Sequence, residues 1–269
     1  MSDGHPAREG RAPGETGGRD PQVHARRLVL GGKRVRYREA GAGPPVIVAS
    51  GLGLSGRFYD RNLPAFARAG LRMVVPDLPG FGGSRGAPFG QRVDETRAFL
   101  LAFADALDIP RAVWLGHSIG AQAVLELAAR APARARAIAL AGPTGEPGSA
   151  KMPRQAWALA KEAVRAPVPV VLRVLSDYVR TSPFAYVGTW IRYAQDRTQD
   201  DLIRVQCPAL VLVGTRDPVV RTDYLELLLH RLPQSRLERI AGGTHALPRS
   251  SAPEFNRAVI AFCRSLPLP

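Results

Sequence analysis

A serine, an aspartate and a histidine, far apart in the chain but each set just after a strand-like run, are the residues whose types and order could do chemistry. Ser118 lies in Gly116-His117-Ser118-Ile119-Gly120, between the apolar run 112–115 and a helix-like stretch at 121–130. A serine hydroxyl is a poor nucleophile until it is held rigidly beside a base, and a tight strand-to-helix turn does this by lifting the side chain off the end of a sheet. Such a turn is strained, so the residues two before and two after the serine must be small; Gly116 and Gly120 meet that need. Residues 208–214 read as a buried strand and are followed by Thr215-Arg216-Asp217-Pro218, which makes Asp217 the acid candidate. A β-like run at 236–240 leads into Ala241-Gly242-Gly243-Thr244-His245-Ala246, and His245 is the base candidate. The order serine, acid, histidine is the one expected for a nucleophile at such a turn. In that chemistry Ser118 attacks a carbonyl, His245 accepts and returns the proton, and Asp217 fixes the imidazole tautomer. Activity is then expected to fall as His245 becomes protonated, near or below an imidazole's unperturbed value of about 6.5.

The developing oxyanion needs donors. After the apolar strand 46–49 comes Ser50-Gly51-Leu52-Gly53, whose glycines let the loop turn its amides inward, so the backbone N–H groups of Leu52 and Ile119 are the expected pair. The same loop supplies a rival reading. Gly51-Leu52-Gly53-Leu54-Ser55-Gly56 with Asp77 after the next strand approaches a dinucleotide-binding fingerprint, which would make the chain a nicotinamide-dependent oxidoreductase. In such a fold this unit opens the sheet, whereas here a hairpin of 26–30 and 34–39 precedes it, and the fingerprint leaves Ser118, Asp217 and His245 without a purpose. Asp77 is expected to brace loops rather than bind a ribose. Gly82-Gly83-Ser84-Arg85-Gly86 also matches the serine pattern, but it has no strand before it or helix after it, so Ser84 is expected to be a loop residue. Among the other histidines, His5 and His24 fall in or beside the amino-terminal tail, His230 on a helical stretch, and His117 in the nucleophile turn itself.

These motifs give the chain its resemblance. Through Gly116-His117-Ser118-Ile119-Gly120, the run Val75-Pro76-Asp77-Leu78-Pro79-Gly80-Phe81-Gly82-Gly83-Ser84, Gly214-Thr215-Arg216-Asp217 and Gly243-Thr244-His245-Ala246, it resembles the α/β-hydrolase fold superfamily. The resemblance covers nearly everything after the tail and implies a triad of Ser118, His245 and Asp217 with no cofactor and no metal. It is similar to bacterial esterase-like and carbon-carbon bond hydrolase-like members. Some relatives place the acid after an earlier strand, where Glu146 stands here, and Asp217 is preferred. Many carry His-Gly at the start of the oxyanion loop where this chain has Ser50-Gly51, a departure that concerns the loop's geometry. Relatives that open epoxides or displace halide use aspartate as nucleophile, so serine points to esters, thioesters, lactones, amides or vinylogous diketones.

Alternating strand and helix patterns point to one mostly parallel sheet with helices on both faces to position these side chains, and 269 residues at 45% hydrophobic content can bury its core. Helices are expected at 94–107 and 253–266. The chain divides into a Gly-, Pro- and charge-rich tail at 1–22, expected to be disordered, a first core part at 23–143, a helical lid at 144–204 and a second core part at 205–269. Within the lid, Trp157, Tyr178, Phe184, Tyr186, Trp190 and Tyr193 are candidates to shape an apolar pocket. The tail has no apolar h-region and no run is long enough to span a membrane, so a cytoplasmic protein acting on a small molecule is expected. Cys207 and Cys263 have no metal-ligand spacing and are read as buried free thiols. A net charge of +14 raises nucleic-acid binding, but the basic residues are nearly all arginine, spread without an aromatic-basic module, so none is expected. Arg154, Arg165, Arg173, Arg180 and Arg192 leave a milder expectation, that an arginine-rich lid attracts anionic substrates or membrane surfaces.

Overall fold

Alternation along the apolar runs gives the sheet two buried faces. The computed structural model describes residues 21–145, 152–196 and 198–267, and within them one sheet contains β1 (His24–Leu30), β2 (Lys33–Ala40), β3 (Pro45–Ala49), β4 (Arg72–Pro76), β5 (Ala112–His117), β6 (Ala135–Ala141), β7 (Ala209–Gly214) and β8 (Ser235–Ile240). Their spatial order is β1-β2-β4-β3-β5-β6-β7-β8. The hairpin β1–β2 and the β2–β4 pair are antiparallel; every other pair is parallel. Ile47, Trp114, Ile138 and Val211 point to one face, while Val46, Val48, Leu115 and Leu210 point to the other.

Parallel neighbours need crossovers, and helices supply them. These are α1 (Leu63–Arg68), α2 (Val93–Asp105), α3 (Gly120–Arg130), then α4 (Met152–Arg165), α5 (Val168–Tyr178) and α6 (Pro183–Ala194) between β6 and β7, and α7 (Thr222–Arg231), with α8 (Leu247–Ser250) and α9 (Ala252–Ser265) following β8. Helices α2, α3 and α7 cover the Trp114 face through residues such as Leu100, Phe103, Leu125 and Leu228. Helices α1 and α9 cover the other through Phe66, Phe255, Val259 and Phe262. The fold is an α/β-hydrolase arrangement, as the motif order implies. None of the described helices is long and apolar enough to cross a membrane.

Several expectations meet the structure differently. Residues 1–20 and Glu146 lie outside the described residues, so the tail and the second acid candidate receive no description, and His5 with them. His24, beside the tail as expected, opens β1. Cys207 is only partly buried, because it sits at the turn into β7, whereas Cys263 is buried on α9. Burial pushes both thiols up, to about 11 and about 12, so neither is poised to react.

Candidate active site

Five loops leave the carboxyl ends of neighbouring parallel strands β3, β5, β6, β7 and β8, the edge at which open α/β sheets bind ligands. Ser118 follows β5 at φ 55°, a left-handed conformation that a serine reaches only under constraint. Its N–H donates to Ala141 O at 2.9 Å. The flanking glycines are required by space: a Cβ on Gly120 would lie 2.2 Å from Ala49 O, and one on Gly116 2.5 Å from Ala121 Cα. The strained turn packs against β3 and α3 only without side chains at these two positions.

His245 Nε2 stands 2.9 Å from Ser118 Oγ, and its Nδ1 2.9 Å from Asp217 Oδ2. Asp217 Oδ2 can accept only from a protonated Nδ1, which leaves Nε2 as the acceptor for the serine proton. The carboxylate is fixed in turn, because Oδ1 accepts the N–H groups of Val219 at 2.7 Å and Val220 at 3.2 Å. Backbone bonds from Thr215 N–H to Ile240 O and from Arg216 N–H to Gly243 O stitch the two loops together. Beside the pair, Gly142 has φ 54°, and a Cβ there would lie 3.1 Å from His245 Nδ1 and 3.3 Å from Asp217 Oδ2.

Electrostatics follow from this packing. Burial disfavours the charged imidazole of His245, but the charge and hydrogen bond of Asp217, joined by the charge of Glu162, outweigh it and hold its pKa above the ordinary value. The expected protonation near or below 6.5 is therefore corrected upward. Burial likewise penalises ionised Asp217, yet His245 and the two backbone donors leave its pKa lowered. His117 is driven by burial, and by the neighbouring His245, down to about 3 and stays neutral. Its Nε2–H donates to the backbone oxygen of His245 at 3.0 Å, and its ring stacks on Phe58, so it ties the loop of the base to the nucleophile turn. The sequence offered only its place in the turn.

Leu52 and Ile119 line the same cavity as Ser118. Among the described residues no hydrogen bond occupies either backbone N–H. The loop that carries Leu52 lacks the family histidine and is held by other groups. Asp77 accepts the N–H of Gly56 at 2.6 Å and of Gly83 at 2.7 Å, acting as the expected brace. From α5, buried Asp177 accepts from Ser55 N–H at 3.1 Å and Ser55 Oγ–H at 2.8 Å, while the Thr181 hydroxyl donates to Gly53 O at 3.2 Å. Ser84 stands apart from the cavity, its Oγ accepting Arg36 N–H at 2.9 Å.

The cavity over Ser118 measures about 230 Å³, roofed by α4, α5 and α6. Of the six aromatic candidates, Tyr178, Tyr186 and Trp190 line it. Trp157 and Phe184 are instead exposed, and Tyr193 is buried elsewhere with its hydroxyl donating to Thr96 Oγ1 at 2.7 Å. Helical spacing alone does not tell which stripe faces the sheet. Arg173, Arg180 and Arg192 are not among the lining residues, and the side chains of Arg154 and Arg165 lie outside the described residues. Glu162 and Thr144 do line it, neither singled out by the sequence, where a glutamate on an amphipathic helix reads as a solvent-facing group.

Residues 44–166 match the family model described as alpha/beta hydrolase fold. A 2-hydroxy-6-oxononadienedioate/2-hydroxy-6-oxononatrienedioate hydrolase of Paraburkholderia phymatum is 36% identical over 266 residues, which covers 85% of this chain and 90% of that protein. A Mycobacterium phage D29 protein named for non-heme haloperoxidase activity is 35% identical over 117 residues, 44% of this chain and 42% of its own length. The crystal structure of a hydrolase from Pseudomonas aeruginosa superimposes with a TM-score of 0.77 at 25% identity, covering 89% of this chain and 98% of that one. With motif order, sheet topology and these likenesses in agreement, the chain belongs to the alpha/beta hydrolase fold family of enzymes.

Proposed function

We propose that the protein is a cofactor-independent serine hydrolase that cleaves carboxylic esters of small to medium, largely apolar molecules. The observation that carries this reading is the continuous hydrogen-bonded chain from Ser118 through His245 to Asp217, with Ser118 and His245 lining an apolar cavity. Ser118 Oγ attacks the ester carbonyl while His245 Nε2 takes its proton, and the carbonyl oxygen becomes an oxyanion held by the amides of Leu52 and Ile119. Collapse of that intermediate expels the alcohol, which receives the proton from His245. Water, deprotonated by the same nitrogen, then releases the acid and restores Ser118. Throughout, Asp217 keeps Nδ1 protonated and stabilises the imidazolium. Helices α4, α5 and α6 act as the lid that shapes the substrate pocket.

A carbon-carbon bond hydrolase is the second reading, favoured by the 36% identity to the dienedioate hydrolase. The substrate in that protein's name carries two carboxylates. Here the described lining residues include Glu162 and contain no lysine or arginine, which supports a neutral ester instead. The experiment is labelling with a fluorophosphonate together with turnover of short aryl esters and a dienone carboxylate. Wild-type protein is expected to be labelled and to turn over the aryl esters, and Ser118→Ala to lose both. Undiminished labelling of Ser118→Ala would remove that serine from the mechanism, and preferential turnover of the dienone carboxylate would establish the second reading.

A further inference from the structure

The cavity over Ser118 is walled mostly by carbon, and Glu162 interrupts that wall. It enters from α4 beside Ala166 and Val170 and is 8% exposed. One oxygen is in use: Oε1 accepts the backbone N–H of Ala246, the residue after His245, at 3.1 Å. The other, Oε2, is buried and has no hydrogen-bond partner among the described residues. Thr144, 4% exposed on the loop after β6, lines the same space with a hydroxyl that is also unpartnered among the described residues. Buried polar atoms are nearly always satisfied, and in a residue that lines a binding cavity an unsatisfied one is a place for a ligand's hydrogen-bonding group. A carboxylate accepts hydrogen bonds and offers none, so the completing group must be a donor. The described lining residues include no lysine or arginine that would receive an anionic substrate.

Resting on the acyl-transfer reading above, we infer that Glu162 is the specificity-determining residue of the site, selecting esters that carry an O–H or N–H donor against α4 and rejecting those that carry a carboxylate there. Rejection has two sources. A second carboxylate would meet a like charge in a desolvated space, and it would leave Oε2 without its donor. The bond from Ala246 N–H ties Glu162 to the residue after His245.

The test uses activated esters of matched length ending in methyl, hydroxyl, ammonium or carboxylate, in one series with the tip on the acyl chain and in another with it on the alcohol. The hydroxyl and ammonium arms separate a neutral donor from a cationic one. In at least one series wild-type kcat/KM is expected to favour a donor tip over the carboxylate tip by a hundredfold or more. Glu162→Gln keeps an amide oxygen for Ala246 N–H and turns an NH2 donor into the cavity. It is expected to lower the donor-to-methyl ratio at least tenfold and to raise the carboxylate-to-methyl ratio, while Glu162→Leu lowers the first without raising the second. Ratios within twofold of wild type in the glutamine variant would overturn the assignment. So would an equal fall on all tips with a displaced pH profile, which would confine Glu162 to holding His245. Fluorophosphonate labelling on the same preparations separates the two claims: labelled wild type with flat ratios sinks the Glu162 assignment alone, and unlabelled wild type sinks the acyl-transfer reading and the assignment with it.

Discussion

Each reacting atom of the proposed mechanism depends on a neighbour that has no chemistry of its own. Gly142 leaves room for the His245–Asp217 hydrogen bond, and its φ of 54° suits no side chain well. Gly142→Ala is expected to lower kcat by about 10–100-fold through a displaced imidazole, read by steady-state kinetics, since misplacement near 1 Å has effects of this size. The pH profile tests the charge balance at His245. The base works only when neutral, and Asp217 with Glu162 holds its pKa above the ordinary value, so kcat/KM is expected to fall with acid through a midpoint above about 6.5. Asp217→Asn removes the main opposing charge and leaves the burial that disfavours imidazolium. Its residual activity, lower by roughly 10⁴ as expected for loss of this acid, should show a midpoint moved to lower pH. A midpoint that stays put would deny the coupling. Ser118, His245 and Asp217 were legible in the sequence because each follows a strand signal at a fixed place in chain order. Glu162 and Asp177 were not, since a single acid on an amphipathic helix carries no mark of whether it turns inward.

At the scale of elements, the loop after β3 is shared between the sheet and α5. Asp177 takes both hydrogen-bonding groups of Ser55 in a buried setting, and Thr181 takes the Gly53 oxygen. These contacts tie the loop that begins at Ser50 to the lid segment. Asp177→Ala leaves two buried donors unsatisfied and is expected to destabilise the fold by about 1–3 kcal/mol, or roughly 2–4 °C in melting temperature per kcal/mol for a chain of this size. Because that loop also carries Leu52, kcat should fall with it. A variant that melts lower with kcat unchanged would separate the anchor from catalysis. The helical character of the segment between β6 and β7 was legible in the sequence, as α4, α5 and α6 show. Their orientation was not: α5 and α6 present apolar residues on more than one side, and Leu172, Val179 and Phe184 are exposed while Val170 and Ala185 are buried.

Across the whole molecule, burial is uneven in a way that predicts dynamics. Strands β5 and β7 are buried at every residue, and β3 and β6 nearly so, with helices packed on both faces. Among the described residues, helices α5 and α6 bury far fewer side chains and leave several large apolar ones exposed. Amide hydrogen exchange is expected to be slowest in β3, β5, β6 and β7 and to run at least tenfold faster in α5 and α6, because protection follows buried contact density. Equal protection in the two regions would argue against α4–α6 as a separately opening lid. The parallel order of the sheet was legible in the alternation of strand and helix signals, and so was the antiparallel β1–β2 start, as the hairpin of 26–30 and 34–39. The net charge of +14 is a property of the surface rather than of the cavity, whose described lining is apolar and includes one carboxylate.

The central claim is that Ser118 becomes acylated, and rapid-mixing intact-protein mass spectrometry with an activated aryl ester tests it most directly. Wild-type protein is expected to gain one acyl mass within the first turnover, mapped to the peptide holding Ser118, and to lose it as the acid appears. Turnover with no adduct at Ser118 under conditions that slow deacylation, or the same adduct on Ser118→Ala, would contradict the account.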